Sequence, residues 1–388
     1  MKAIDKILPW VFFCLVLALC SFGALMVYSS SVYVAERVYS GNQYHYFKRE
    51  VMWLIMGFGA MALMYKIPID LVKRLAPIIY LVSLLCLILV FSPLGVTVNG
   101  ATRWIGLEKI SDKLGFIRFQ PSEALKYSMI IILAWWYERI KRESDTFIKG
   151  ALIPACIMGM GLALALAGRD LGTPLLIAMV GGAICFAAGM KFRYIAVGIV
   201  TVGVLGCYYV THEAYRVKRI MSFLNPMEDP LGVGYQNLQA LMAICSGKLT
   251  GLGIGNSLMK MEYLPEAHTD FIYAVIGEEL GFCGCAAVIA AFFLLVVVMW
   301  RLVSKIDDTF CRLTAFGIAL VIGSQAIANI GVVTATLPNK GMGLPFISYG
   351  GSSILFLLGA CGLFLNMVKN KPKVQLTKRS VVSRTSAR

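Results

Sequence analysis

Asp270 stands at the end of the run Glu266-Ala267-His268-Thr269-Asp270, which gathers two carboxylates and an imidazole just after Pro265 and just before a long apolar stretch. That set suits general acid–base chemistry, because partial burial beside a membrane lifts a carboxylate toward the working range of a base. A simpler reading is a helix start, since Thr269 and Asp270 are both residue types that cap helices. On the residues alone both readings stay open. Further along the same apolar stretch come Glu278 and Glu279. At about 1.5 Å per helical residue they lie roughly 12 Å deeper than Asp270. Ionisable groups at such depth either tie helices together or mark a pathway.

Cations that could meet an anionic substrate are scattered over three other segments. Lys340 lies in Thr336–Ser353, TLPNKGMGLPFISYGGSS, whose prolines and glycines forbid a continuous helix. A lysine held in such a loop can serve as a fixed counter-ion for phosphate; an ordinary exposed lysine is merely solvated. Arg103 sits beside Trp104 in NGATRWIGL, Asn99–Leu107, as an interface anchor or an anion contact. Arg216 and Arg219 are three apart and share a helical face, where they can meet an anion or snorkel to headgroups. Gln236 and Gln239 also share a face, ahead of the apolar run Ala240–Cys245 and the glycine-rich SGKLTGLGIGNS from Ser246. This pattern predicts a short amphipathic helix lying in the membrane interface. Pro121 and Ser122 begin a helix in which Glu123 and Lys126 are spaced to pair, and Ser352 and Ser353 are placed to cap the last apolar run.

The elements that must position these residues are membrane helices. Of 388 residues 59% are hydrophobic and only 15% charged, with a mean hydropathy of +0.76, which excludes a soluble domain of this length. Apolar runs predict ten spans near 7–29, 51–65, 75–92, 122–137, 150–168, 171–189, 194–211, 271–300, 312–335 and 352–368. No barrel-type alternation occurs, so the expected fold class is all-α: a polytopic integral membrane protein with a large extracytoplasmic loop between helices 7 and 8. Residues 1–368 read as one membrane domain and 369–388 as a basic cytoplasmic tail. The first run, with Lys2 and Lys6 before it and no evident cleavage site after it, reads as a retained helix.

The net charge of +15 invites a nucleic-acid reading, but its placement argues for topology. Basic residues concentrate in alternate short loops and in the tail, which by the positive-inside rule puts both termini in the cytoplasm. The long, glycine-rich and polar loops then all lie outside, where function is to be sought. Eleven cysteines fall almost entirely within the predicted spans and show no disulfide framework or metal-ligand spacing.

Taken together, NGATRWIGL, FQPSEALKY (Phe119–Tyr127), GRDLGTPL (from Gly168), GYQNLQA, YLPEAHTDFI with GEELG, and LPNKGMGLPFISYGGSS resemble the SEDS family of bacterial peptidoglycan polymerases, over nearly the whole chain. Lys340 within LPNKG and the Asn99–Leu107 motif are similar to the FtsW-type, cell-division branch rather than the RodA-type, elongation branch. The resemblance implies polymerisation of lipid II, with Asp270 as the base that deprotonates the acceptor sugar hydroxyl. Lys340, Arg103, Arg216 and Arg219 would neutralise the diphosphate leaving group, alone or with a divalent cation such as Mg or Mn, and Glu266, His268, Gln236 and Gln239 would line the substrate site. No organic cofactor is implied. The implied partners are a class B penicillin-binding protein and other divisome proteins, in the bacterial inner membrane at the division septum. Two positions depart from the family pattern: Arg169 stands before Asp170 where proline is common, and Lys248 stands where a second glycine is usual. A transporter of the same lipid and a non-catalytic division scaffold are the rival readings, the former resting on Glu278, Glu279 and Asp170.

Overall fold

The computed structural model describes residues 2–39, 41–98, 101–106, 118–168, 172–212, 217–218, 221, 223, 232, 234–261, 263–338 and 341–370. In chain order they form α1 (Lys2–Val38), α2 (His45–Lys66), α3 (Ile69–Leu89), β1 (Gly95–Val98), β2 (Ala101–Gly106), β3 (Arg118–Phe119), α4 (Pro121–Ile140), α5 (Ile153–Ala167) and α6 (Gly172–Ala187). There follow α7 (Phe192–Thr211), α8 (Tyr235–Ser246), α9 (Ile272–Val303), α10 (Thr309–Val333) and α11 (Gly351–Lys369). Among the described residues six helical segments are long and apolar enough to cross a membrane: those within α1, α3, Phe147–Ala167, α9, α10 and α11. The apolar segments Gly172–Ala187 of α6 and Phe192–Tyr208 of α7 are shorter, and α2 and α4 carry more charge.

The purely helical expectation needs one correction. The segment before α4 folds into a three-stranded antiparallel sheet, β1-β2-β3, with Val96 opposite Trp104 and Ile105 opposite Phe119. Its strands are short alternating runs, a signal that the strength of the flanking apolar runs masked.

Two polar devices hold the bundle. At the end expected to face the cytoplasm, the Lys73 ammonium contacts Glu138 at 2.6 Å and Asp308 at 3.1 Å, joining α3, α4 and the start of α10. Asp308 also caps α10 by accepting from the Cys311 N–H at 2.9 Å. Burial pushes the Asp308 carboxyl up, but the Cys311 N–H and the Lys73 ammonium outweigh it and hold it below the usual range. On α11, the Asn366 amide donates to the carbonyls of Met64 (2.9 Å) and Ile67 (2.7 Å), satisfying the C-terminal end of α2.

Helix α9 is broken at Gly281, where φ is +65°. Residues 248–253 fill the break: the N–H groups of Leu252 and Gly253 donate to the carbonyls of Glu278 and Glu279 at 3.0 and 2.9 Å. In return Phe282 and Cys283 donate to the carbonyls of Lys248 and Leu249 at 2.9 and 3.1 Å. The loop thus supplies partners to four backbone groups at the break, as a low-dielectric setting requires. A Cβ at Gly281 would lie 2.4 Å from the Gly251 nitrogen, so only glycine permits this approach.

The same loop explains the two deep glutamates. Glu279, fully buried, pairs with Lys260 at 2.7 Å and accepts from the Ser29 hydroxyl of α1 at 2.7 Å. Glu278 accepts from the Ser257 hydroxyl and from the N–H groups of Leu258 (2.9 Å) and Met259. Glu279 thus ties α9 to Lys260 and to α1, and Glu278 ties α9 to residues 257–259.

Candidate functional site

Asp270 does not cap a helix. The N-cap of α9 is Phe271 and no side chain caps it; Asp270 stands one residue earlier, half-buried. The chain reaches it through a tight turn in which Glu266 takes φ +56° and its carbonyl accepts from the N–H groups of Thr269 (3.1 Å) and Phe271 (3.2 Å). The Thr269 hydroxyl donates to the Glu266 carboxylate at 2.8 Å, so that pair is spent on shaping the turn. Ser352 and Ser353 likewise do not cap α11, whose N-cap is Gly350. Ser352 accepts from the Gln120 N–H at 3.3 Å and Ser353 donates to Glu123 at 3.2 Å, joining α11 to α4.

The loop from Gly341 to Gly350 lies against this turn. Ser348 donates its hydroxyl to the Thr269 carbonyl at 2.6 Å and accepts from the Leu344 N–H at 2.7 Å, while the Tyr349 N–H donates to the His268 carbonyl at 3.0 Å. Gly341, at φ +60°, brings its backbone so close that a Cβ would lie 3.3 Å from Asp270 Oδ2. The segment that carries Lys340 is therefore anchored beside the carboxylate immediately after that residue. Lys340 itself, like Arg216, Arg219 and Asp170, lies outside the described residues.

His268 packs into an aromatic cluster, with ring centroids 4.7 Å from Tyr46 and 5.8 Å from Tyr349. Burial holds the imidazole below its usual pKa, and the nearby Glu266 carboxylate offsets only part of that. It is therefore neutral at pH 7 and acts here as a packing group of the turn.

Beneath the loop runs a chain of buried polar groups. Glu123 pairs with Lys126 at 2.8 Å on α4, as their spacing predicts. Lys126 donates to the Gln325 Oε1 at 3.2 Å, and the Gln325 amide donates to the Gly343 carbonyl at 3.1 Å. One turn further along α10, Asn329 donates to the carbonyls of both Asp270 and Met342 at 2.7 Å. Gln325, Asn329 and Gly341 escaped the sequence reading. Two amides four residues apart inside an apolar helix were the available signal, since polar side chains at that depth are costly without a partner.

The remaining candidates lie on other elements. Arg103, on β2, lines a small cavity with Leu87, Val90, Ser122, Leu164 and Gly168, against α3, α4 and α5. Gln236 and Gln239 sit half-buried on α8, which packs on α9 rather than standing alone. Among the described residues no group of three or more His, Cys, Asp or Glu side chains gathers closely enough to hold a metal ion.

A helical membrane protein with one carboxylate at a loop–helix junction, strapped by a glycine-rich loop, is the class that this geometry defines. The chain belongs to the FtsW/RodA/SpoVE family of cell cycle proteins, whose model matches residues 9–373. A protein of Geobacter sp. (strain M18) named probable peptidoglycan glycosyltransferase FtsW is 40% identical, over 90% of this chain and 93% of its own length. One of the same name from Coxiella burnetii is 39% identical, over 92% of this chain and 95% of its own. Among solved structures, a chain of a peptidoglycan synthase complex that coordinates polymerization and crosslinking superposes with a TM-score of 0.76 at 26% identity, covering 92% of this chain and 97% of its own. Rod shape determining protein RodA from Thermus thermophilus gives a TM-score of 0.68 at 25% identity, covering 94% and 97%.

Proposed function

We propose that this chain is a peptidoglycan glycosyltransferase of the FtsW type, polymerising lipid II into septal glycan strands, with Asp270 as its general base. The observation that carries the base assignment is the placement of the Asp270 carboxylate outside the helix, ahead of the N-cap Phe271 and faced by the Gly341 backbone. The relatives named peptidoglycan glycosyltransferase over nine-tenths of the chain supply the reaction class.

In the reaction, Asp270 takes the proton from the 4-hydroxyl of the acceptor's GlcNAc as that oxygen attacks the anomeric carbon of the donor's MurNAc. The C–O bond to diphosphate breaks, and undecaprenyl diphosphate leaves with the bonding pair. One displacement inverts the α-linked diphosphate to a β-1,4 bond, so one base suffices and no covalent intermediate forms. The leaving group departs as an anion and needs positive charge rather than a proton. Lys340, carried by the loop that Gly341 anchors, is first in line for that task, with Arg216 and Arg219 as further cations. Arg103, on β2, is assigned to the same substrate. Glu266 and His268 shape the base's turn, while Gln236 and Gln239 on α8 are assigned to the sugar or peptide. A Mg or Mn ion would be held chiefly by the substrate phosphates, the usual mode for Mg.

Ten membrane crossings are assigned to α1–α7 and α9–α11, with α8 in the large outer loop, residues 1–368 as one membrane domain and the tail 369–388 cytoplasmic. An even number of crossings leaves both termini on the same side of the inner membrane, and the concentration of Lys and Arg assigns that side to the cytoplasm. The partner is a class B penicillin-binding protein within the divisome, an assignment supported by the likeness to a chain from a peptidoglycan synthase complex. The transporter reading loses its main support, because Glu278 and Glu279 are engaged as structural ties. The test is incubation of the purified protein, alone and with its transpeptidase, with labelled lipid II: glycan ladders sensitive to lysozyme support the assignment, and lipid movement across vesicles without polymer overturns it.

A further inference from the structure

Helix α10 carries two amides on one face, Gln325 and Asn329, four residues apart and both turned toward the loop after Lys340. Gln325 links the loop to Lys126 on α4, whereas Asn329 links the loop to Asp270. One of its N–H bonds goes to the carbonyl of Asp270 and the other to that of Met342, each at 2.7 Å. Both partners are acceptors, which fixes the orientation of the amide. The side chain is 1% exposed, and its Oδ1 has no partner among the described residues. A buried amide that leaves its oxygen unsatisfied gives up stability. What the residue gains in return is its two donors, which hold the carbonyls of Asp270 and Met342 together.

We infer that Asn329 is a positioning residue for glycosyl transfer: it splints the backbone of Asp270 to the loop after Lys340 and so fixes the spacing between the base and the cationic loop. The inference rests on the reading of Asp270 as the base. It also accounts for the paired 2.7 Å bonds converging from segments 72 residues apart, 270 and 342. Base and counter-charge act on opposite ends of one displacement, on the acceptor hydroxyl and on the departing diphosphate. A loop that drifts relative to Asp270 would still bind either substrate half but would misalign the two, so the loss falls on turnover rather than on binding.

The test compares wild type, Asn329→Ala, Asn329→Asp and Asp270→Asn as purified full-length proteins in detergent, measuring lipid II polymerisation over a range of substrate concentrations and the melting temperature of each. Asn329→Ala removes both donors without adding charge, so it serves if the aspartate variant fails to fold. The expected result is a kcat lowered about 30-fold or more with KM within about threefold of wild type, a melting temperature near that of wild type, and an inactive Asp270→Asn. A KM that rises in step with the loss of rate, or a loss explained by a collapsed melting temperature in both variants, overturns the positioning role. Normal turnover by Asn329→Ala beside an inactive Asp270→Asn overturns the positioning role and leaves the base standing. An active Asp270→Asn overturns both.

Discussion

Gly341 approaches Asp270 so closely that a methyl group on its Cα would lie 3.3 Å from Oδ2. The contact brings backbone, not a side chain, against the carboxylate. Its φ of +60° adds a second reason for glycine, because an L-residue pays about 1–2 kcal/mol in that conformation. Gly341→Ala is therefore expected to insert and fold but to polymerise about tenfold more slowly or worse, because a shift of tenths of an ångström falls directly on the base. Rates on lipid II alongside melting temperatures check this; a full-speed alanine variant would show that the loop has slack at this point.

His268 gives a pH signature. Burial lowers its pKa from the ordinary value of 6.5, so between that value and its folded one the unfolded chain binds the proton and the native chain does not. Stability is then complete above pH 6.5 and declines as pH falls below it. His268→Gln should flatten the decline in melting temperature between about pH 6.5 and pH 5 relative to wild type. Parallel curves would mean that the imidazole titrates as freely in the folded protein as in the unfolded one.

Lys260 and Glu279 form a pair with 6% and 0% of their side chains exposed. Breaking such a pair from one side strands a buried charge, so Glu279→Ala should cost about 3–5 kcal/mol, seen as a large fall in melting temperature. The double variant Lys260→Met with Glu279→Leu should recover much of that, since two apolar groups leave nothing unpaired. If the single and double variants are equally unstable, the hydrogen bonds from Ser29, rather than the charge pairing, hold α1 to α9.

Lys248 occupies a left-handed conformation, φ +49°, at the point where its carbonyl accepts from Phe282 across the break in α9. Lys248→Gly should be neutral or stabilising within about 1 kcal/mol, the relief of strain offsetting the added freedom of the unfolded chain. Lys248→Val should destabilise by about 1–2 kcal/mol, because a branched side chain suits that conformation least. Melting temperatures of the two variants decide it, and equal values would mean that the loop re-forms without the positive φ.

Much of this was legible in the sequence because its physics is local or compositional. Apolar runs locate the helices, Pro121 starts α4 where its type predicts, and the three-residue spacing of Glu123 and Lys126 gives their ion pair. Asp270 stands out by its type and setting, but its local sequence argues for a helix cap, and the N-cap in the folded chain is Phe271. Contacts that join distant segments left weaker traces. Asn329 meets Asp270 across 59 residues, and the loop at 248–253 fills a helix break that a single glycine in an apolar run does not announce. The hairpin at 95–106 was hidden for another reason: its strands are four and six residues long, too short to compete with the helical runs on either side.

The assignment of Asp270 as the base is tested most directly by lipid II polymerisation with purified Asp270→Asn and Asp270→Ala, each beside wild type, with and without the transpeptidase partner. Both variants should insert, melt near the wild-type temperature and bind lipid II, yet produce no glycan strands under any of these conditions. Glycan ladders from a clean, folded preparation of either variant would contradict the assignment.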